Sequence, residues 1–332
     1  MSLGHESLAE FLCWQTLSAA TPLMLAGIGE LVGELTGVID IGIEGLMLIG
    51  CIVAYTAAAA TGQAWMGLGA AAAAGMASAA LFAGVVLWGR ADQIVAGAAL
   101  NLLALGLSAT LWSLYQNHCA NLGLSTHLPR GAGYDLVAVP GLSHLPFIGP
   151  VLFDQYTLFY ATLLLAVGIW WVLRFTRLGL MIRALGESPE TCVACGIPVR
   201  LGRFLAALFA GGCAGAAGAF LSIMRTKAFA FDMTGGQGFM VLALVIFGRW
   251  AIGPLVLGCL FFGALNSLQQ ILQTTRYTLA DPWMHALRSV PFEFFQMLPY
   301  VAALAALALL SRRHPGPRAL GQPWPQEVAQ RA

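Results

Sequence analysis

The feature that most constrains this chain is the length of its apolar runs. No lysine or arginine occurs before Arg90, and several stretches of about twenty residues carry no charge at all. A helix needs roughly 20 mostly apolar residues to cross the hydrocarbon layer of a bilayer. Only 9% of the 332 residues are charged, against about 25% in soluble domains, too few to cover a water-facing surface. A transmembrane barrel would show short segments alternating polar and apolar. The runs here are continuous and rich in Ala, Leu and Gly, so the fold class expected is all-α, a polytopic bundle of membrane helices.

Runs of low charge place spans at 11–31, 38–60, 64–88, 93–115, 156–174, 204–224, 252–272 and 290–310, with a shorter run over 235–247. That is about nine helices, one of them broken or re-entrant. A polar stretch rich in Gly, Pro and His separates Gln116 from Gln155, and Arg174–Arg203 reads as a charged loop. The positive n-region of a cleavable signal is missing, so the first run is expected to stay as a span. Basic residues favour the cytoplasmic side. With 175–203 and a tail over 311–332 placed there, eleven of the sixteen basic residues fall inside and five outside, and the N-terminus lies outside. The net charge of +1 and the lack of a basic patch give no reason to expect nucleic acid.

Three segments carry chemistry. The first, Gly29–Gly45, holds Glu30, Glu34, Asp40 and Glu44 with no basic residue, and glycines at 29, 33 and 37 that would let helices approach closely. Carboxylates inside a span are costly and commonly functional. Glu34 is expected at a solvated rim; Asp40 and Glu44, with Asn101 inside the fourth span, are candidates for a substrate path, Glu44 and Asn101 equally for ties that hold neighbouring helices together. The second is Glu187-Ser188-Pro189-Glu190-Thr191-Cys192-Val193-Ala194-Cys195. Ser188 suits an N-cap, Pro189 the first helical position and Glu190 the positive end of the dipole, while Gly196 and Pro198 end the helix. Such a short helix is either a docking element for a partner or a plain surface turn. The Cys192–Cys195 pair lacks the second pair or the histidines that a redox or metal role needs, and no metal site is expected. The third is Thr234-Gly235-Gly236-Gln237-Gly238 before the short run. Glycine-interrupted short segments point to discontinuous helices beside a substrate path, which makes Gln237 a candidate; a tight turn is the other reading.

No G-x-x-x-x-G-K-[ST] occurs, and Lys227 is the sole lysine, so the phosphate-binding loop of an ATPase is absent. No catalytic constellation is apparent. An ion-gradient-driven transporter titrating Asp40 and Glu44, and an integral membrane enzyme, are the alternative classes.

The blocks Gly37-Val38-Ile39-Asp40-Ile41-Gly42-Ile43-Glu44-Gly45 through Gly50, Arg183–Ile197, Gly236–Trp250 and Leu298-Pro299-Tyr300 together resemble the permeases of nucleoside and simple-sugar ABC importers, over about 21–310. The resemblance implies a bacterial inner-membrane, multi-pass permease domain over 1–310, with Glu187–Cys195 as coupling helix and 311–332 as cytoplasmic tail. It further implies partner ATPases that hold ATP and Mg, a second permease subunit, an external solute-binding protein, and no cofactor in this chain. Asp40 stands where that family usually has Asn.

Overall fold

The computed structural model describes residues 8–123, 126–129, 136–138, 148–275 and 316–322, with 294, 297 and 301. Its elements run α1 (Leu8–Leu35), α2 (Ile43–Thr61), α3 (Ala64–Leu87), α4 (Gln93–Leu122), β1 (Leu136–Ala138), α5 (Ile148–Leu152), β2 (Asp154–Tyr156), α6 (Thr157–Phe175), α7 (Arg177–Glu187), α8 (Pro189–Ala194), α9 (Val199–Ala219), α10 (Gln237–Phe247) and α11 (Ile252–Thr275). Phe220–Arg225 continues α9 as a π-helical turn. The chain is an all-α bundle, with seven helices long and apolar enough to cross a membrane among the described residues. The short run forms α10, the discontinuous segment expected. The expected span 290–310 falls almost wholly outside the described residues.

The helix ends have local causes. Asp92 Oδ1 accepts the N–H groups of Ile94 (2.8 Å) and Val95 (3.1 Å), starting α4. Gly62 (φ +70°) and Gly123 (φ +65°) stop α2 and α4 in left-handed conformation, which glycine adopts without a Cβ penalty. Helix α4 runs to Leu122, seven residues beyond the expected boundary, into the stretch read as polar loop. The described residues beyond it include α5 and a two-stranded antiparallel ribbon, Leu136 opposite Tyr156 and Ala138 opposite Asp154.

Helix α9 is the axis of the bundle, packing on α1, α2 and α3. Glycines let backbones meet there. A Cβ on Gly75 of α3 would lie 2.1 Å from the Gly211 carbonyl, one on Gly50 of α2 2.4 Å from that of Gly215, and one on Gly29 of α1 2.7 Å from Cys213 Cβ. Without a hydrophobic drive between helices in lipid, such close packing is what holds a bundle together. The outer face is the reverse of a soluble surface: Leu102, Leu164 and Val167 are exposed on α4 and α6. Only hydrocarbon or another apolar partner covers such a face without cost.

The charged loop 175–203 is largely helical, made of α7, α8 and the first turn of α9. Thr176 Oγ1 accepts the Gly179 N–H (3.2 Å) and caps α7, an amphipathic helix with its apolar side on α6 and α1. Residues 316–322 fold back against this end of the bundle, where the Ala319 N–H donates to the Gly186 carbonyl at 2.8 Å.

Candidate translocation site and docking helix

The segment between α1 and α2 is not helical. At its start the Val38 N–H donates to Gly33 O (3.2 Å) and the Gly37 N–H to Glu34 O (2.9 Å), with Gly37 at φ +94°. This paired pattern with a left-handed glycine is the Schellman stop of a helix. Gly37 therefore ends α1 rather than extending the run of close-packing glycines. Second-span helicity begins at Ile43, not at 38.

Side chains satisfy the backbone that this break frees, as a low-dielectric setting demands. The Ile39 N–H donates to Gln93 Oε1 (2.8 Å), and that of Asp40 to Glu30 Oε1 (3.0 Å). Asp40 Oδ1 accepts the Gly42 N–H at 2.8 Å. Asn101 bridges the gap, its Oδ1 accepting from Gly45 N–H (2.7 Å) and its Nδ2 donating to Ile41 O (2.8 Å). Asp40 and Asn101 thus act together as the cap of α2. Gly42, Gly45 and Gly97 allow α4 to lie this close; a Cβ on Gly97 would stand 2.8 Å from the Gly42 nitrogen.

Glu44, in the first turn of α2, reaches across to α10. Its Oε1 accepts the Gly236 N–H (2.8 Å) and its Oε2 the Gly238 N–H (2.5 Å). A carboxylate on the exposed amides of a helix N-terminus is favourable in hydrogen bonding and with respect to the dipole. Gly235 and Gly236, both with positive φ, aim these amides, and a Cβ on Gly238 would lie 2.6 Å from Glu44 Cα. Gln237 is the first residue of α10; its Oε1 and the Thr234 hydroxyl are buried with no hydrogen-bond partner among the described residues. The structure thus brings Asp40, Glu44, Asn101 and Gln237 to the junction of the α1–α2 break with the start of α10.

Helix α10 runs from this junction to the end of the bundle that carries α7. There the Trp250 indole N–H donates to Glu34 Oε2 at 2.6 Å. Glu34 is 2% exposed, so it is not at a solvated rim: the indole shields and pairs it. That pairing, the Gln93 contact and the helicity of α7 carry no motif that would mark them in the sequence.

Helix α8 stands where expected. Pro189 and Cys192 are buried, while Glu187, Ser188, Glu190, Thr191, Val193, Ala194 and Cys195 are exposed. Ser188 does not cap a backbone N–H; its hydroxyl pairs with that of Thr191 at 2.7 Å. The stop is a second Schellman turn, with Ile197 N–H to Cys192 O (2.9 Å), Gly196 N–H to Val193 O (2.9 Å) and Gly196 at φ +76°. Burial pushes the Cys192 thiol up, away from the thiolate that redox or metal chemistry uses.

A sequence model described as the permease component of branched-chain amino acid transport systems matches residues 13–308. The chain belongs to this permease family. Among its relatives is TsgC13 of Haloferax volcanii, provisionally named a glucose ABC transporter permease, 37% identical over 80% of this chain and 79% of its own length. The guanosine ABC transporter permease NupQ of Bacillus subtilis is 31% identical, covering 93% of this chain and 94% of its own. The nucleoside ABC transporter permease NupC of Lactococcus lactis is 32% identical, over 91% and 92%. No solved structure matches the permease significantly. The permease is accordingly a multi-pass protein of the plasma membrane and the membrane-spanning subunit of an ABC importer, not a self-contained ion-driven transporter.

Proposed function

We propose that this permease forms the path for a nucleoside or a closely related small polar solute, and that ATP hydrolysis takes place in a separate subunit docked on α8. The observation that carries the reading is the junction of two interrupted helices, α1–α2 and α10, closed by Glu44 in a chain of the permease family. Discontinuous helices at a substrate path are a recurring design of transporters. The unpartnered Thr234 hydroxyl and Gln237 Oε1 are groups that a solute rich in hydroxyl and amide functions would pair with. The nucleoside class is favoured because NupQ and NupC match this chain nearly from end to end. A second permease subunit, an external solute-binding protein and two cytoplasmic ATPases carrying ATP and Mg complete the assembly, with α7, α8 and the tail on the cytoplasmic side.

Helix α8 suits docking because it is rigid at both ends and shows Glu190, Thr191 and Val193 outward. A small rigid helix presented to a groove is a common recognition mode. The test is uptake by proteoliposomes holding the full assembly, offered labelled guanosine or labelled glucose. Saturable, ATP-dependent guanosine uptake is expected; glucose uptake alone would refute the solute class. Replacing Ser188–Cys195 by a short glycine linker should abolish co-purification of the ATPase while membrane insertion persists. Undiminished co-purification would remove the docking assignment.

A further inference from the structure

Arg203 sits near the start of α9 and is 1% exposed, yet among the described residues none of its hydrogen-bond partners is a carboxylate. Its guanidinium donates to three backbone carbonyls on three separate segments: Thr36 O in the α1 stop (2.9 Å), Leu185 O near the end of α7 (3.4 Å) and Gln322 O in the returning tail (3.4 Å). Five N–H groups in a fixed planar fork make arginine suited to such a junction. A buried cation held only by carbonyls is costly, so its position here calls for a role.

The tail joins the same segments independently. The Ala319 N–H donates to Gly186 O (2.8 Å) and the Gly321 N–H to Gly37 O (3.2 Å). A Cβ on Gly316 would be 2.6 Å from the Trp250 indole, and a Cβ on Gly186 2.2 Å from Leu35 O. Arg318 lies 3.9 Å from Glu187. The α7 end, the α1 stop and the α10–α11 turn are thereby fastened to one another by residues 316–322 and one guanidinium. Only Ser188 separates Glu187 from α8; Gly37 is followed directly by the break that Asp40, Asn101 and Glu44 hold.

We propose that Arg203 and the strap 316–322 are positioning elements that transmit displacement of α8 to the α1–α2 break, so that hydrolysis at the docked ATPase opens the path. This rests on the docking of the ATPase at α8. Two segments tied by direct hydrogen bonds to a common group move together; without the tie, only the packing of α7 on α1 is left to carry the motion.

The test uses the complete assembly in proteoliposomes and reads solute moved per ATP hydrolysed. A chain ended after Pro315, which leaves every described helix intact, and Arg203→Ala are compared with the parent; Arg203→Lys tests for rescue. The expected result is a fall in that ratio of about tenfold or more, within the range of coupling between linked sites, with ATPase subunits still co-purifying and hydrolysing ATP. Lysine, which cannot span three carbonyls in a planar fork, should restore little. An unchanged ratio after removal of the strap overturns the proposal, as does a parallel loss of hydrolysis and transport, which a merely structural role would give. Should the Arg203→Ala chain not accumulate, the truncated chain decides alone. Loss of ATPase co-purification on truncation, with the parent complex intact, would also overturn it and assign the strap to docking. Failure of the parent itself to bind the ATPase would instead strike the docking assignment.

Discussion

Glu44 and Asp40 are four residues apart and do different work. Glu44 bonds two amides of another helix; Asp40 bonds the amide of Gly42 within its own turn. Asp40→Asn keeps an oxygen acceptor for Gly42, so the variant should insert, retain its thermal stability in detergent and still transport, with solute preference as the property to compare. Glu44→Gln keeps one acceptor and surrenders the second bond and the charge. Hydrogen bonds to charged groups contribute about 1.5–3 kcal/mol each, so a lowered unfolding temperature and slowed uptake are expected. Equal behaviour of parent and Glu44→Gln in both measurements would show the α10 tie to be dispensable. The sequence exposed these residues because carboxylates inside apolar runs stand out. It could not say that Glu34 meets Trp250, since nothing in either local pattern encodes a contact between positions so far apart.

At the scale of elements, the bundle rests on glycine contacts around α9. A Cβ on Gly215 would lie 2.2 Å from the Ala71 carbonyl, backbone that cannot yield, whereas one on Gly212 would be 3.1 Å from the flexible Met76 side chain. Overpacking of a tight contact costs about 1–3 kcal/mol. Gly215→Ala should therefore lower the yield and unfolding temperature of the purified permease, and Gly212→Ala should not; the same response from both would mean that the crossing is looser than its geometry. Long spans were legible because hydrophobic length is a one-dimensional signal. Seven of the expected spans match helices to within a few residues at most ends. Ends set by tertiary partners were not legible. The four-residue spacing marks Gly37 as a packing glycine, and only its Schellman bonds show it to be a stop. Helix α7 was hidden by its charges, since an amphipathic helix at a membrane edge has the composition of a loop.

For the molecule as a whole, the division of labour follows from chemistry that is missing in the sequence and architecture that is present. Purified by itself, the permease should hydrolyse no ATP above background, because the phosphate-binding lysine motif does not occur in it; hydrolysis that survives removal of every other subunit would contradict this. The half-length of α10 has one more consequence. Eleven residues rise roughly 16 Å, about half of a ~30 Å hydrocarbon layer, so α10 cannot cross it alone, and its positive end is answered within the bundle by Glu44. If the proposed path passes this point, a phosphate group would have to compete for amides that Glu44 already occupies. On the path proposed above, this end of α10 would favour a neutral solute over its phosphorylated form.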